Sequence, residues 1–259
     1  MNSFEYYLPT KIVFGEGSVT QLGEIASTFG KKALLVTYDE EFVRSVGLLD
    51  KTISSLEEKN IEVTSFFGVK SNPTVKHVRE GIKIARAIKP DVLIALGGGS
   101  VIDTVKSMAV GVFYEGDIWD FASGEGNAEE ALPIITVLTI PATSSEMNAT
   151  AVISNDATKR KEGFINSLMF PKISILDPEL TVSIPILQTA ISAADIVSHL
   201  MEGYINHNDP WAPMQDRFAQ GMIKTIMDCM ERLLKNPKDS QARATMMWAS
   251  TFAWNGFYV

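Results

Sequence analysis

The segment 91–103, DVLIALGGGSVID, limits the folding of this chain more than any other. A short unbroken apolar run such as DVLIAL is a strand buried on both faces, which calls for a parallel sheet covered by helices. Gly97, Gly98 and Gly99 then hand the strand over to a helix. Without Cβ atoms the backbone turns tightly and comes close to a ligand, and the first N–H groups of the helix, joined by Ser100, point outward without partners inside it. That arrangement cradles a pyrophosphate. The spacing departs from G-x-G-x-x-G, however, and a tight strand-to-helix turn with nothing bound uses the same residues. The location favours a ligand, because open α/β sheets bind at the carboxyl ends of their strands.

The flanking sequence repeats the alternation. Apolar runs at 33–37 (ALLVT), 61–67 (IEVTSFF) and 133–139 (PIITVLT) read as strands. Residues 48–59 and 74–87 read as helices, the second opened by Asn72-Pro73-Thr74 and closed by Lys89-Pro90. After Pro141 the pattern is irregular, with a short hairpin expected at 151–154 and 163–165 about the polar turn 155–161. Beyond Pro185 apolar residues recur at threes and fours over 187–205, 213–235 and 239 to the end. The expected fold is α/β: an N-terminal doubly wound, Rossmann-like dinucleotide-binding domain at 1–180, then an all-helical metal- and substrate-binding domain at 181–259. The boundary falls inside 165–185, and the site belongs in the cleft between the two. A chain of 259 residues is long enough to bury such a core.

Composition removes other classes. Asp+Glu 31 against Lys+Arg 23 gives a net charge of −8, which argues against a nucleic-acid partner. The start MNSFEYYLPTK has neither a basic n-region nor an apolar h-region, and no run of 18 apolar residues occurs, so a cytoplasmic protein with no membrane partner is expected. The one cysteine, Cys229, lies in the apolar-periodic run 222–234 and reads as a buried core thiol.

Two charged clusters remain. Asp39, Glu40 and Glu41 directly follow the strand ALLVT, where a carboxylate accepts from ribose hydroxyls and repels a 2′-phosphate; a solvated loop of charges is the equal alternative. Asp195 and His199 are i,i+4 in the helix 187–205, so carboxylate and imidazole share one face and are placed either to hold a cation or to form an exposed ion pair. A catalytic cation generally takes three protein ligands, and neither His77, on an early helix, nor His207, two turns beyond His199, readily completes the set.

The segments KIVFGEGSV, SNPTVKHVREG, LGGGSVIDTVKSMA, TIPATSSEMNATAVISN, SILDPELTVSIPILQTA and AADIVSHLMEGYIN, in that order, together resemble the iron-containing (group III) alcohol dehydrogenase family. The branch they match best is the butanol dehydrogenase and long-chain aldehyde reductase one, over nearly the whole chain. The resemblance implies that Gly98, Gly99 and Ser100 bind a dinucleotide pyrophosphate, with Asp103 behind them near the cofactor. It implies that Asn72, Thr139, Thr143, Ser145 and Lys161 line the same cofactor, Lys161 otherwise being a solvated lysine. Asp195 and His199 match the first two of four metal ligands, the metal being usually Fe²⁺ and sometimes Zn²⁺. The implied chemistry is metal-assisted hydride transfer between NAD(P)H and a small primary alcohol or aldehyde, commonly in a homodimer, for which the edge near 12–14 is an expected pairing site.

The sequence departs from the family in three places. Asp39, Glu40 and Glu41 occupy a turn that is glycine-rich in many NADPH-using relatives, so NAD(H) is expected over NADP(H). Thr143-Ser144-Ser145 replaces threonine-glycine-serine, adding a side chain near the cofactor. The family's third and fourth ligands, both histidines, lie just beyond the segment that MMWASTFAWNGFYV resembles, and the helix 239 to the end shows no capping glycine, so an incomplete dehydrogenase is expected. Trp248, Phe252, Trp254 and Phe257 are expected to lack part of their packing. The competing readings are a non-catalytic nucleotide-binding protein and a glycerol dehydrogenase-like relative.

Overall fold

The structure, a computed structural model, describes residues 3, 5–206 and 211–257. Its strands are β1 (Lys11–Phe14), β2 (Lys32–Thr37), β3 (Glu62–Phe66), β4 (Val92–Gly97), β5 (Ile134–Leu138), β6 (Thr150–Asn155), β7 (Arg160–Ile165) and β8 (Ile173–Leu176). Its helices are α1 (Leu22–Ser27), α2 (Glu40–Ser45), α3 (Leu48–Glu57), α4 (Val75–Ile88), α5 (Gly99–Gly111), α6 (Trp119–Ser123), α7 (Ile186–Asn206), α8 (Pro213–Lys235) and α9 (Ser240–Phe252).

A six-stranded parallel sheet runs in the order β1-β8-β5-β4-β2-β3. Strands β4 and β5 are buried along their whole length, as their unbroken apolar runs require. Alternate residues serve opposite layers. Leu34, Val36, Leu93 and Ala95 face α4 and α5, while Ala33, Leu35, Ile94 and Leu96 face α1 and α3. On α4 the buried residues Val75, Val78, Ile82 and Ala85 form the expected stripe, and Thr74 caps its start by accepting the His77 N–H at 3.3 Å. The antiparallel pair β6–β7 lies over α5, which is therefore covered on two sides and buried almost throughout.

Helices α7, α8 and α9 pack around Ile196, Leu200, Ile226, Leu233 and Met246, with Cys229 5% exposed among them. Burial pushes the Cys229 thiol up, in keeping with a core thiol. Arg243, 2% exposed, ties α9 to the segment before α7 by donating to Thr181 O at 2.5 Å and Ile184 O at 3.3 Å, and to the turn between α8 and α9 by donating to Pro237 O at 2.7 Å. No helix among the described residues is long and apolar enough to cross a membrane.

Two expectations need correction, and one strand is added. The acidic cluster is not a loop: Asp39 accepts the Phe42 N–H at 3.3 Å and opens α2, and Glu40 pairs with Arg44. The last helix stops at Phe252, and the chain turns back through Gly256, whose φ of +82° suits glycine, so that Phe257 packs on Phe218. Strand β8, too short and too close to Asp177-Pro178 to stand out in sequence, lies between β1 and β5 and completes the sheet. Trp248 does remain 42% exposed, beside the half-exposed Phe14 on the edge strand β1.

Candidate functional site

From β2 the chain runs out to β3 and returns to β4 on the far side of β2, so strand order reverses between β2 and β4. Crevices at such a reversal, beyond the carboxyl ends of the strands, are where open α/β sheets take ligands. The glycine turn follows β4 there. The Gly98 N–H donates to the Tyr38 hydroxyl at 2.9 Å, which leaves the N–H groups of Gly99 and Ser100 as the outward-facing first turn of α5. Burial pushes the Tyr38 phenol up, and the Gly98 N–H works against it. A Cβ on Gly99 would stand 2.5 Å from Thr143 Oγ1, so this position is closed to larger residues by the loop beyond β5.

Facing the turn is a cleft of about 320 Å³. Gly99, Ser100 and Asp103 line it from α5, Thr143 and Ser145 from the loop beyond β5, Asn72 from the turn before α4 and Lys161 from β7. Asp195 and His199 enter from α7, and Trp254 from the turn after α9. Five separated stretches that the sequence singles out therefore meet at one place. Three candidates do not line it: Asp39 caps α2, Gly98 is taken up by Tyr38, and Thr139 is buried with its N–H on Gly97 O at 3.1 Å.

The walls differ in polarity. Lys161 Nζ donates to Asn72 Oδ1 at 2.7 Å, across the mouth. Ser145 Oγ donates to Asp103 Oδ1 at 2.7 Å, and the Val152 N–H to Asp103 Oδ2 at 3.2 Å. Burial raises the Asp103 carboxyl, opposed by Lys106, by these two bonds and by Lys161. On α7 the expected i,i+4 geometry holds, with His199 Nε2 3.7 Å from Asp195 Oδ2 and the Trp254 ring 5.7 Å from the imidazole. No cluster of three or more His, Cys, Asp or Glu suited to a metal occurs among the described residues. His77 stacks on Phe66 at 4.4 Å, away from this cleft, and His207 lies outside the described residues.

Sequence reasoning did not place Asn148, Thr150, Val152 or Trp254 in the cleft, which they also line, nor Lys106 beneath it. Only Lys106 carried a signal, as a lone charge in the apolar stretch of α5 three residues after Asp103.

Residues 9–178 match the model of the family described as iron-containing alcohol dehydrogenase, and residues 189–258 that of the Fe-containing alcohol dehydrogenase family, C-terminal. The chain is 40% identical over 256 residues to NADH-dependent butanol dehydrogenase A of Clostridium acetobutylicum, covering 99% of this chain and 65% of that protein. It is 36% identical over 259 residues to the NADPH-dependent aldehyde reductase YqhD of Escherichia coli, covering 99% and 66%. The crystal structure of NADH-dependent butanol dehydrogenase A from Thermotoga maritima superposes with a TM-score of 0.94 at 41% identity, covering 99% of this chain and 64% of that one. The chain thus spans about two thirds of the length of the relatives it matches.

Proposed function

Because the chain belongs to the iron-containing alcohol dehydrogenase family, we propose that it carries the dinucleotide-binding part of an alcohol dehydrogenase or aldehyde reductase acting on small primary alcohols and aldehydes. The observation that carries this reading is the convergence of Asn72, Gly99, Ser100, Asp103, Thr143, Ser145, Lys161, Asp195 and His199 on one cleft at the strand-order reversal. Residues 1–180 form the dinucleotide unit and 181–259 the metal and substrate unit in this proposal.

The cleft fits a dinucleotide. The Gly99 and Ser100 N–H groups and the positive end of α5 receive a pyrophosphate, and the Lys161 ammonium adds a charge of the right sign at the mouth. Gly98 supports the turn from behind rather than from the cleft wall, and Thr139 supports the same turn through its bond to Gly97. Asp39 puts a carboxylate at the carboxyl end of β2, beside the strand-order reversal, which favours NAD(H) over NADP(H). Relatives of both kinds are known by name, one NADH-dependent and one NADPH-dependent.

For a cation the fit is partial. Asp195 and His199 supply two donors on one helix face, fewer than a catalytic site takes. Fe²⁺ is the cation proposed, with Zn²⁺ the alternative. When bound, the dinucleotide supplies or accepts hydride and the cation polarises the substrate oxygen. This chain's residues orient the one and contribute two donors to the other, with the Trp254 ring packed beside His199. A homodimer paired along the exposed edge of β1 completes the proposal.

The test is NADH oxidation with butyraldehyde, with and without added Fe²⁺ or Zn²⁺. Metal-dependent turnover supports the proposal. NADH binding with no turnover under any metal favours a non-catalytic nucleotide-binding protein, and no NADH binding overturns both.

A further inference from the structure

Between the two walls of the cleft lies one fully buried cation. Lys106 is 0% exposed, and its Nζ donates to Ser145 Oγ, Asn148 Oδ1 and Thr150 O, each at 2.9 Å. Each of these partners is committed to accepting. The Ser145 proton goes to Asp103 Oδ1 at 2.7 Å. The Asn148 amide is fixed in orientation, since Nδ2 donates to Trp254 O at 3.0 Å and Thr143 O at 3.4 Å, while Oδ1 also accepts the Thr150 N–H at 3.0 Å. Thr150 contributes a carbonyl, which only accepts. A neutral amine would aim its lone pair at one of three acceptors, so the arrangement is satisfied only by an ammonium.

The two ends of this network reach different walls. Through Ser145 the ammonium touches Asp103, beside the cradle. Through Asn148 it touches the Trp254 carbonyl, and the Trp254 ring packs on His199. We propose that Lys106 is a positioning residue for the hydride-transfer site: its ammonium orients Ser145 toward Asp103 on the dinucleotide wall and Asn148 toward Trp254 on the cation wall, holding the two in register. The inference deepens the proposed function and rests on it.

The charges facing Lys106 are known. Asp103 lies on its own helix, Glu146 on the loop beyond β5, and Lys161 on β7 acts on it through Asp103. Glu146 is fully buried, and burial pushes its carboxyl up, opposed by hydrogen bonds from its own backbone N–H and from Thr251 and by the Lys106 charge. Burial lowers Lys106 to about 8, against the pull of both carboxylates. A group lowered in this way is charged below that pH and loses its proton above it, so the register is present at neutral pH and fails under mild alkali.

The experiment is an NADH fluorescence titration from pH 6.5 to 9.5 on wild type, Lys106→Met and Lys106→Arg, with hydrogen exchange at the Thr150 and Trp254 amides. At pH 7, Lys106→Met is expected to weaken NADH by about tenfold and to speed exchange at both amides, leaving α1 and α3 unchanged. Wild-type affinity falls as pH rises through about 8, whereas Lys106→Arg, charged throughout, holds its affinity across the range. Should Lys106→Met fail to fold, the pH comparison of wild type with Lys106→Arg decides alone. Equal NADH affinity in wild type and Lys106→Met, or the same alkaline loss in wild type and Lys106→Arg, would overturn the inference. If wild type does not bind NADH, the functional reading fails, and the exchange of the two amides still reports whether Lys106 sets the register.

Discussion

The two walls of the cleft are built on opposite principles. On the α5 side, Asp103, Ser145, Lys106 and Asn148 hold one another through bonds of 2.7 to 2.9 Å, so several partners fix each group. On the α7 side, Asp195 and His199 depend on one helix for their spacing, sit 3.7 Å apart, and have side chains 46% and 25% exposed. A wall with its polar groups already satisfied is preorganised and changes little when a ligand arrives. A part-exposed pair of donors whose spacing one helix sets gains more of its definition from what binds to it. Under the proposed function, the contrast would leave recognition of the dinucleotide to packing and recognition of a cation to ligation.

The largest expected effect tests the packed wall. Gly99→Val places a branched side chain where a Cβ alone already meets Thr143 Oγ1 at 2.5 Å. NADH affinity should fall by about 100-fold or more, because the Thr143–Ser145 loop must move away from the cradle. Gly99→Ala combined with Thr143→Ala should recover much of what Gly99→Ala alone loses. Wild-type affinity in Gly99→Val would break the comparison at its stronger side.

Next comes the docking of α9, which carries the chain to Trp254. Arg243→Met removes the donor from the Thr181, Ile184 and Pro237 carbonyls. Loss of a buried, charged donor shared among three acceptors should cost about 2 kcal/mol in urea unfolding. If α9 positions Trp254, the remaining folded protein should also show faster amide exchange at Trp254, with NADH affinity changed less than in Gly99→Val.

What sequence could supply follows the same division. Strands β2, β4 and β5 and helices α4, α7 and α8 were legible because burial on both faces, or on one stripe, leaves a periodic trace in neighbouring residues. The spacing of Asp195 and His199 was legible because a helix alone generates it. The network from Asp103 through Lys106 to Trp254 was not: Asn148 and Trp254 are 106 positions apart, and no local period marks such a contact. Helix α2 was missed because Asp39, Glu40 and Glu41 look solvated in sequence, whereas acidic residues in a first turn are stabilised by the exposed N–H groups there.

The ligation wall gives a smaller effect with a sharper pattern. Asp195→Ala with His199→Ala should weaken Zn²⁺ binding, followed by calorimetry, by about tenfold or more. The same double variant should leave NADH affinity within about threefold and urea stability within about 0.5 kcal/mol, since a partly exposed i,i+4 pair contributes little to folding. Loss of NADH affinity equal to that of Gly99→Val would show that the walls are not separable.

The smallest expected effect lies outside both walls, at Asp39. Asparagine caps a helix about as well as aspartate, so Asp39→Asn keeps the bond to the Phe42 N–H and removes only the charge. Stability should change by less than about 0.5 kcal/mol, while the ratio of NADPH to NADH affinity should rise about fivefold because a 2′-phosphate no longer meets a carboxylate. An unchanged ratio would mean that Asp39 serves α2 alone and that cofactor choice is made inside the cleft. A changed ratio with the cap intact would place a third determinant at the end of β2, one that acts by charge where the cradle acts by packing.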